Sequence, residues 1–321
     1  MNFLHSRFYK WECKKIIFFL TFVTAFFTPN FVHSFSFSVS PVITYSKESI
    51  TDKIYDGDYL HSMLEWESFY IFKAGAAAEI EHKNLSFQSS AKFNLPLKCG
   101  LQYDSDWYTP GIKTNFSTGN LYTSLGFDIN FELKYKFNLP FGFSVFPVTS
   151  FYSSYVQLEA QDIYSWCGDA AHTGLNQDYS WDSEYAKRVK KYGINLNSLT
   201  TLVCFGAEIK KDFEKFYLDT KILVAPYLSI ISVDHHLGKD GGKYYQMEHE
   251  AFFTAWNFDF TGGYFINKHN SINLNLNVNF CPEIQGKLFF GWFKIGKVLA
   301  PETSTFQFTK FSANLFWQYT F

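Results

Sequence analysis

The feature of this sequence that most constrains its fold is a long, regular alternation of apolar and polar residues. Residues 125 to 137 are apolar at every odd position, and residues 272 to 280 carry Asn at every second position. Successive residues of a β-strand point to opposite faces, so each run predicts a strand with one apolar and one polar face. Both runs exceed the roughly 5 or 6 residues of an average soluble strand and suit a tilted membrane strand of about 9 to 11 residues.

Composition and the end of the chain also favour a barrel in a membrane. Aromatic residues make up 21% of the chain, including 39 Phe, beside many Asn, Ser and Lys. A barrel with an apolar outer face and a polar inner face needs both classes. The acids Asp128, Glu132 and Asp259 are expected to line that inner face and pair with basic residues. The last residues alternate from Phe311 to Phe321, and a terminal aromatic strand that ends in Phe is typical of outer-membrane barrels.

Turn-forming and polar segments divide the chain into ten predicted strands. Short turns are predicted at residues 82–84, 138–142, 211–215 and 267–270, and longer polar loops near residues 48–58, 104–120, 161–188, 234–250 and 290–303. Helical membrane spans are excluded, because no run of 18 or more apolar residues follows residue 34. The predicted fold is therefore all-β: a ten-stranded antiparallel transmembrane β-barrel with long extracellular loops and short periplasmic turns.

The first 34 residues have the organisation of a secretory signal peptide. Four basic residues precede the apolar run IIFFLTFVTAFF, and VHS at residues 32 to 34 offers a cleavage site. The apolar run is too short for a membrane anchor, which needs about 20 residues. We therefore expect a signal peptide at residues 1–34 and a barrel at residues 35–321, located in the outer membrane of a diderm bacterium.

Charge and cysteine spacing argue against several classes of function. The formal net charge is −2, and removal of the basic signal peptide makes the chain more acidic, which disfavours a nucleic-acid partner. Cys99, Cys167, Cys204 and Cys281 are widely spaced and include no Cys-x-x-Cys pair. No zinc or iron–sulfur site is therefore predicted, and the disulfide pairing of these cysteines stays open.

Two clusters of ionisable residues fall at the predicted extracellular rim. Asp104 and Asp106 belong to the segment DSDW, and Asp234 and His236 belong to SVDHHLGKDGG. Residues i and i+2 of a strand share a face, so Asp234 can orient the imidazole of His236. Two close carboxylates resist double ionisation, so Asp104 and Asp106 can share a proton or hold a water. Because a barrel closes on itself, the clusters can face each other and activate water against a peptide carbonyl.

Simpler interpretations of these clusters are a solvated turn or a cation site. The segment DSDWYTPG lacks the further oxygen ligands and the glycine spacing of an EF-hand-like calcium loop. His235 and His236 point to opposite faces of a strand, so they cannot easily share one metal ion. No metal is therefore predicted at the rim.

The two clusters resemble the catalytic motifs of the omptins, a family of outer-membrane proteases with a ten-stranded barrel. Omptins have Asp-x-Asp-Trp in the second loop and Asp-x-His in the fourth, at the positions of Asp104, Asp106, Asp234 and His236. The segment SMLEW, residues 62 to 66, is similar to the family's Ser-x-Leu-x-Trp, and the final YTF is similar to its ending. The resemblance covers the chain after the signal and implies that these four residues are catalytic.

Several positions depart from the omptin pattern. Omptins place an acid two residues before the catalytic Asp of the fourth loop, in a pocket for basic side chains, where this chain has Ser232. The second acid of that pocket corresponds to Asp52, and an acid that favours a basic residue after the cleaved bond is replaced by Asn115. The resemblance therefore implies substrate-binding roles for Asp52, Ser232 and Asn115, with a weaker preference for Arg or Lys. The segment FYSSYVQ, residues 151 to 157, lacks the arginine that omptins use for lipopolysaccharide, so dependence on this cofactor is not expected.

The predicted function is that of an outer-membrane aspartic-type endopeptidase, a hydrolase of extracellular peptides or proteins, with its active site facing the exterior. Outer-membrane lipid is the other expected partner, and the chain is expected to be monomeric and to need no cofactor. The alternative is a non-enzymatic barrel on the same scaffold, either an adhesin or a narrow porin, which would show no peptidase activity.

Overall fold

The fold consists almost entirely of antiparallel strands, as the alternation predicts. The structure is a computed structural model that describes residues 35–237, 243–292 and 296–321, so the predicted signal peptide at 1–34 lies outside the described residues. The strands are β1 (Phe35–Asp56), β2 (Tyr59–His82), β3 (Leu85–Asn94), β4 (Leu97–Asp106), β5 (Asn115–Tyr135), β6 (Phe137–Asn138), β7 (Phe143–Cys167), β8 (Lys187–Lys190), β9 (Ile194–Asp212), β10 (Phe216–His236), β11 (Lys243–Ala251), β12 (Ala255–Asn267), β13 (Asn270–Trp292) and β14 (Gly296–Thr320).

These strands close into a barrel of ten strands, which confirms the predicted fold. The elements β3 and β4 together form the third barrel strand, and β11 and β12 together form the eighth, since each pair lies along the same two neighbours. Closure is made by β1 and β14, whose ladder places Val42 opposite Phe316 and Asp52 opposite Phe306. Within the described residues, each of the ten strands of the ring therefore has a neighbour on both sides, so the ring itself has no open side.

The connections agree with the prediction at the turn end of the barrel and differ from it at the rim end. The turn end has the short connections predicted, at residues 83–84, 139–142, 213–215 and 268–269. At the rim end, most of the described residues in the stretches predicted as loops near 48–58, 234–250 and 290–303 belong to strands, and the stretch near 104–120 keeps a connection of eight residues, 107–114, between β4 and β5. A long irregular connection, residues 168–186, does occur within the predicted loop at 161–188; it holds a short helix, α1 (Ala170–Thr173).

An apolar belt surrounds the outside of the barrel toward the turn end. It is formed by exposed apolar side chains such as Ile43, Leu125 and Leu274, while their strand neighbours point into the lumen. The lumen at this level holds ion pairs, among them Lys73–Asp128 at 2.8 Å, Lys221–Glu132 at 2.7 Å and Lys221–Asp259 at 3.4 Å. The prediction that Asp128, Glu132 and Asp259 line a polar lumen and pair with basic residues is confirmed.

Above the belt the alternation inverts, which explains why the rim strands were predicted as loops. In β10, Ile222 points outward within the belt, whereas Leu228 and Ile230 are buried on the inner face above it. With Trp66 and Phe306 from other walls, they belong to one buried apolar cluster inside the barrel. Many outward positions at this level, such as Lys53, Glu65 and Ser229, are polar, so the segments look loop-like in sequence while the backbone continues as strand.

Helices contribute little to the molecule. Among the residues that the structure describes, no helix has the length and apolar character needed to cross a membrane. The short helix α1 begins after Asp169, whose carboxylate accepts the backbone N–H of His172, and it ends at Gly174 in the left-handed conformation. The helix α1 lies at the rim, next to the segment that contains Asp106.

Candidate active site

The structure places Asp234 and His236 side by side on the inner face at the rim end of β10. His236 Nε2 lies 2.9 Å from Asp234 Oδ2, and the imidazole packs edge-on against the Tyr245 ring with centroids 5.2 Å apart. Tyr245 comes from β11, where it stands directly opposite Asp234. The Asp234 carboxylate and the Tyr245 ring thus contact the imidazole of His236 from two sides. The contact between Asp234 and His236 is the one that the i, i+2 spacing predicts.

Asp104 and Asp106 occupy the rim end of β4, also on the inner face. Asp104 is buried and stands opposite Leu64 of β2 and Ser117 of β5. The hydroxyl of Tyr108 donates to Asp106 Oδ2 over 3.3 Å. Burial and the charges of the two acids raise the pKa of Tyr108 above its usual range, so its hydroxyl stays a donor at neutral pH.

The two acid-containing pairs lie on opposing walls of the barrel. The elements β4 and β10 belong to the third and seventh barrel strands, separated by β5, β7 and β9 on one side of the ring. Side chains from opposing walls come close at this level. After burial, the charge of Asp234 in β10 is the next cause that raises the pKa of the Asp52 carboxyl in β1. The arrangement presents carboxylates and an imidazole at the mouth of one lumen, which is what activation of a water requires.

Asp52 belongs to a small group of buried polar side chains next to Asp234 and His236. It lies within β1 rather than in a loop, it is 1% exposed, and the donor groups of Trp66 and Ser232 lie close to its carboxyl. Burial and the charge of Asp234 raise the pKa of Asp52 well above its usual range, against the opposing effect of those two donors. Five buried polar atoms in this group have no hydrogen-bond partner of normal geometry among the described residues: Asp52 Oδ1 and Oδ2, Trp66 Nε1, Ser232 Oγ and Asp234 Oδ1.

Asn115 begins β5 on the wall of the acid pair. It stands directly opposite Asp106 on one side and Cys167 on the other. The side chain is 1% exposed, and within the part of the chain that the structure describes neither its nitrogen nor its oxygen has a hydrogen-bond partner of normal geometry. Asn115 is therefore close to Asp106 but belongs to a different wall from Asp52 and Ser232.

The predicted residues thus fall into two groups, one on each side of the rim. Asp52, Ser232, Asp234 and His236 form one group, and Asp104, Asp106 and Asn115 form the other. Sequence reasoning missed Tyr108 and Tyr245. Tyr108 has a local signal, because it continues the i, i+2 spacing of Asp104 and Asp106. Tyr245 has none, because its contact depends on the register between β10 and β11.

Comparison with known proteins gives a match at the level of fold. No family model and no curated protein matches the chain. Among solved structures, the outer membrane protease OmpT from Escherichia coli superposes with a TM-score of 0.77 over 89% of this chain and 97% of OmpT, at 12% sequence identity. The match confirms the barrel fold that the resemblance to the omptins implies.

Other outer-membrane barrels match less well. The translocator domain of the autotransporter NalP from Neisseria meningitidis has a TM-score of 0.37 at 7% identity, over 88% of each chain. The toluene transporter TodX from P. putida has a TM-score of 0.29 at 8% identity, over 92% of this chain and 91% of its own.

Proposed function

We propose that this protein is an outer-membrane endopeptidase that hydrolyses peptide bonds with a water activated at the rim of its barrel. The observation that carries the proposal is the 2.9 Å contact between Asp234 and His236, on the wall that opposes Asp104 and Asp106. The fold shared with the protease OmpT supports the same conclusion.

The proposed reaction begins with proton transfer from water to His236. The resulting hydroxide attacks the carbonyl carbon of the peptide, and a tetrahedral intermediate forms. The imidazolium, stabilised by Asp234, then gives the proton to the leaving amine as the carbon–nitrogen bond breaks. Asp104 and Asp106 hold the water on the opposite side and keep it oriented toward the carbonyl.

The contact between Asp234 and His236 determines which ring nitrogen acts as the base. Nε2 is the atom that faces the carboxylate, so in the neutral imidazole its N–H donates to Asp234 Oδ2. Nδ1 then keeps its lone pair and is the atom that accepts the proton of water. The packing of Tyr245 against the ring supports this orientation.

We place the rim on the outside of the cell and the apolar belt in outer-membrane lipid. The exposed apolar side chains of the belt and the aromatic residues at its edges, Trp256 and Trp317, fit that environment. No basic residue occurs at residues 151–157, so we expect activity that does not require lipopolysaccharide.

The group around Asp52 and Ser232 is the proposed pocket for the residue before the cleaved bond. One acid with a raised pKa and one hydroxyl provide less negative charge than two acids would. The pocket therefore suits a neutral polar side chain at least as well as a cationic one, while Asn115 lies on the wall that would receive the residue after the bond.

The proposal is tested by cleavage of a peptide library with protein extracted in detergent from outer membranes. We expect hydrolysis by the wild type and a loss of about 10²-fold or more in kcat/KM for His236→Ala and Asp106→Asn. His235→Ala is the matched control, because this neighbour points to the other face of β10. Wild-type rates in His236→Ala would refute the mechanism, and no hydrolysis by the wild type with or without lipopolysaccharide would favour a non-enzymatic barrel.

A further inference from the structure

A second cluster of potential ligand atoms lies at the rim, where β7 passes into α1. Cys167 Sγ, a carboxylate oxygen of Asp169 and a ring nitrogen of His172 all lie within 4.8 Å of one another. These three residues form the pattern Cys-x-Asp-x-x-His, which lacks the paired cysteines by which zinc sites are usually recognised in sequence. These three residues take no part in the proposed peptidase reaction, but they lie beside its acid pair, because Cys167 stands opposite Asn115 and Asn115 stands opposite Asp106.

The local backbone holds two of these side chains in place. Asp169 Oδ1 accepts the backbone N–H of His172 over 3.0 Å, and Asp169 Oδ2 lies 2.7 Å from His172 Nδ1. Asp178 accepts the N–H of Ala170 over 2.8 Å and the hydroxyl of Thr109 over 2.6 Å, which ties α1 to the neighbouring rim segment. The donors are therefore gathered by the fold before any ligand binds.

Asn115 supplies an independent indication that a ligand belongs here. It stands directly opposite Cys167, it is 1% exposed, and both polar atoms of its amide lack a hydrogen-bond partner of normal geometry. The amide lies near enough to Asp169 to help lower the pKa of that carboxyl. A buried amide without a hydrogen bond lowers the stability of the folded protein. The amide oxygen of Asn115 is a suitable fourth donor for a cation in this position.

We propose that Cys167, Asp169, His172 and Asn115 form a binding site for Zn²⁺. Zinc takes sulfur, nitrogen and oxygen donors in a tetrahedral arrangement, with bonds of about 2.0 to 2.3 Å. Ligand atoms then stand roughly 3.3 to 3.8 Å apart, by the geometry of those bonds. That separation falls between the shortest present distance, 2.7 Å, and the upper limit of 4.8 Å for Cys167, Asp169 and His172, so these three side chains are already close to the spacing that zinc needs.

Charge balance supports zinc at this position. Binding converts the Cys167 thiol to a thiolate and releases its proton to solvent. One thiolate, one carboxylate and one dication then sum to zero, which suits a site whose cysteine and acid are buried. The side chain of His172 is 43% exposed and provides the route by which a metal enters.

The same three residue types also occur in cysteine nucleophiles, but the burial disfavours that use. Cys167 is 0% exposed, and burial raises the pKa of its thiol, so the free thiol is protonated and inaccessible at neutral pH. A metal ion overcomes that penalty because it binds the thiolate directly.

The test is a metal titration of the full chain, extracted in detergent without a metal-binding tag and freed of metal by a chelator. We expect one Co²⁺ per barrel, with a sulfur-to-cobalt absorption band that Zn²⁺ displaces. Cys167→Ser should abolish the band, and His172→Ala should weaken Zn²⁺ binding at least tenfold. Cys281→Ser and His269→Ala are matched controls outside the cluster and should bind as the wild type does.

The outcomes separate this proposal from the proposed peptidase, because binding is measured without peptide. A folded wild type that shows no cobalt–sulfur band would overturn the site, as would an equal loss of binding in Cys281→Ser. If Cys167→Ser does not fold, His172→Ala decides, because its side chain is partly exposed on the connection after β7. Folding of each variant is checked by its heat-dependent mobility on a gel.

Discussion

At the scale of single residues, Asp52 has an environment unusual for a carboxyl group. Burial and the charge of Asp234 both disfavour its ionised form, and neither of its oxygens has a hydrogen-bond partner of normal geometry. In the unfolded chain this acid ionises at its ordinary pKa. The folded state therefore binds a proton more tightly than the unfolded state, and the free energy of unfolding falls as pH rises from about 4 toward the folded pKa.

We expect Asp52→Asn to stabilise the barrel at neutral pH and to have a smaller effect near pH 4. The gain should be about 1.4 kcal/mol for each unit by which the folded state raises the pKa of Asp52. Urea unfolding followed by tryptophan fluorescence at several pH values measures it. The control is Asp58→Asn, an exposed acid in the rim turn, which should keep the wild-type pH profile. A gain for Asp52→Asn that is the same at pH 4 and pH 7 would contradict the argument.

Ser232 is the residue at which the candidate pocket differs most from a pocket for cations. Ser232→Asp places a second carboxyl beside Asp52, and a bound Lys or Arg side chain relieves their repulsion. On the proposed function, we expect kcat/KM for substrates with Lys or Arg before the cleaved bond to rise about tenfold relative to neutral residues. Ser229→Asp adds the same charge on the outer face of β10 and should leave this ratio unchanged. An unchanged ratio in Ser232→Asp would place the pocket elsewhere.

At the scale of elements, the strands reverse the face on which they carry apolar residues. Within the belt the inner face is polar, and above it the inner face is apolar, as Lys221 and Leu228 of β10 illustrate. The strand ladder between β9 and β10 shifts register between Val224 and Tyr227, so the change of phase coincides with a bulge. Because of the bulge, one strand can point apolar side chains toward lipid at one level and into the barrel interior at the next.

Leucine-to-alanine substitutions on the same strand should reveal this reversal. Leu228 is fully buried inside the rim, so Leu228→Ala leaves a cavity and should lower the free energy of unfolding by about 2 to 5 kcal/mol. Leu218 is 40% exposed in the belt, where detergent or lipid fills the space, and Leu218→Ala should cost clearly less. Equal losses in urea unfolding would show that the rim interior does not behave as a packed core.

The sequence predicted the belt strands well and the rim strands poorly, for a physical reason. The run at 125–137 obeys one alternation because its outer face meets lipid throughout, and it lies within β5 apart from its last two residues. The stretch at 48–58 contains the end of β1, but its outward positions face water and its inward positions include both Ile50 and Asp52. Polarity alone does not separate such a strand from a loop.

At the scale of the whole molecule, the contacts within one strand follow from sequence, but those between strands do not. The spacing of Asp234 and His236 is enough to predict their contact, because both belong to one strand. The approach of Asp52 to Ser232 depends on how β1 and β10 face each other across the lumen, which needs the complete ring. The cluster of Cys167, Asp169 and His172 similarly depends on the turn that α1 makes after β7.

The buried apolar cluster inside the rim divides the lumen and bears on whether the barrel conducts. Trp66, Phe306 and Leu228 come from different walls and are each almost fully buried within one cluster, above the ion pairs of the belt level. An ion that crossed this layer would lose most of its hydration among mainly apolar side chains, which costs far more than thermal energy. We therefore expect the protein to give no steady conductance in planar bilayers. The variant Trp66→Ala/Phe306→Ala, which removes two large side chains of this layer, should introduce measurable current steps. Steady current through the wild type would instead require a water path past the cluster and would favour a porin on this scaffold.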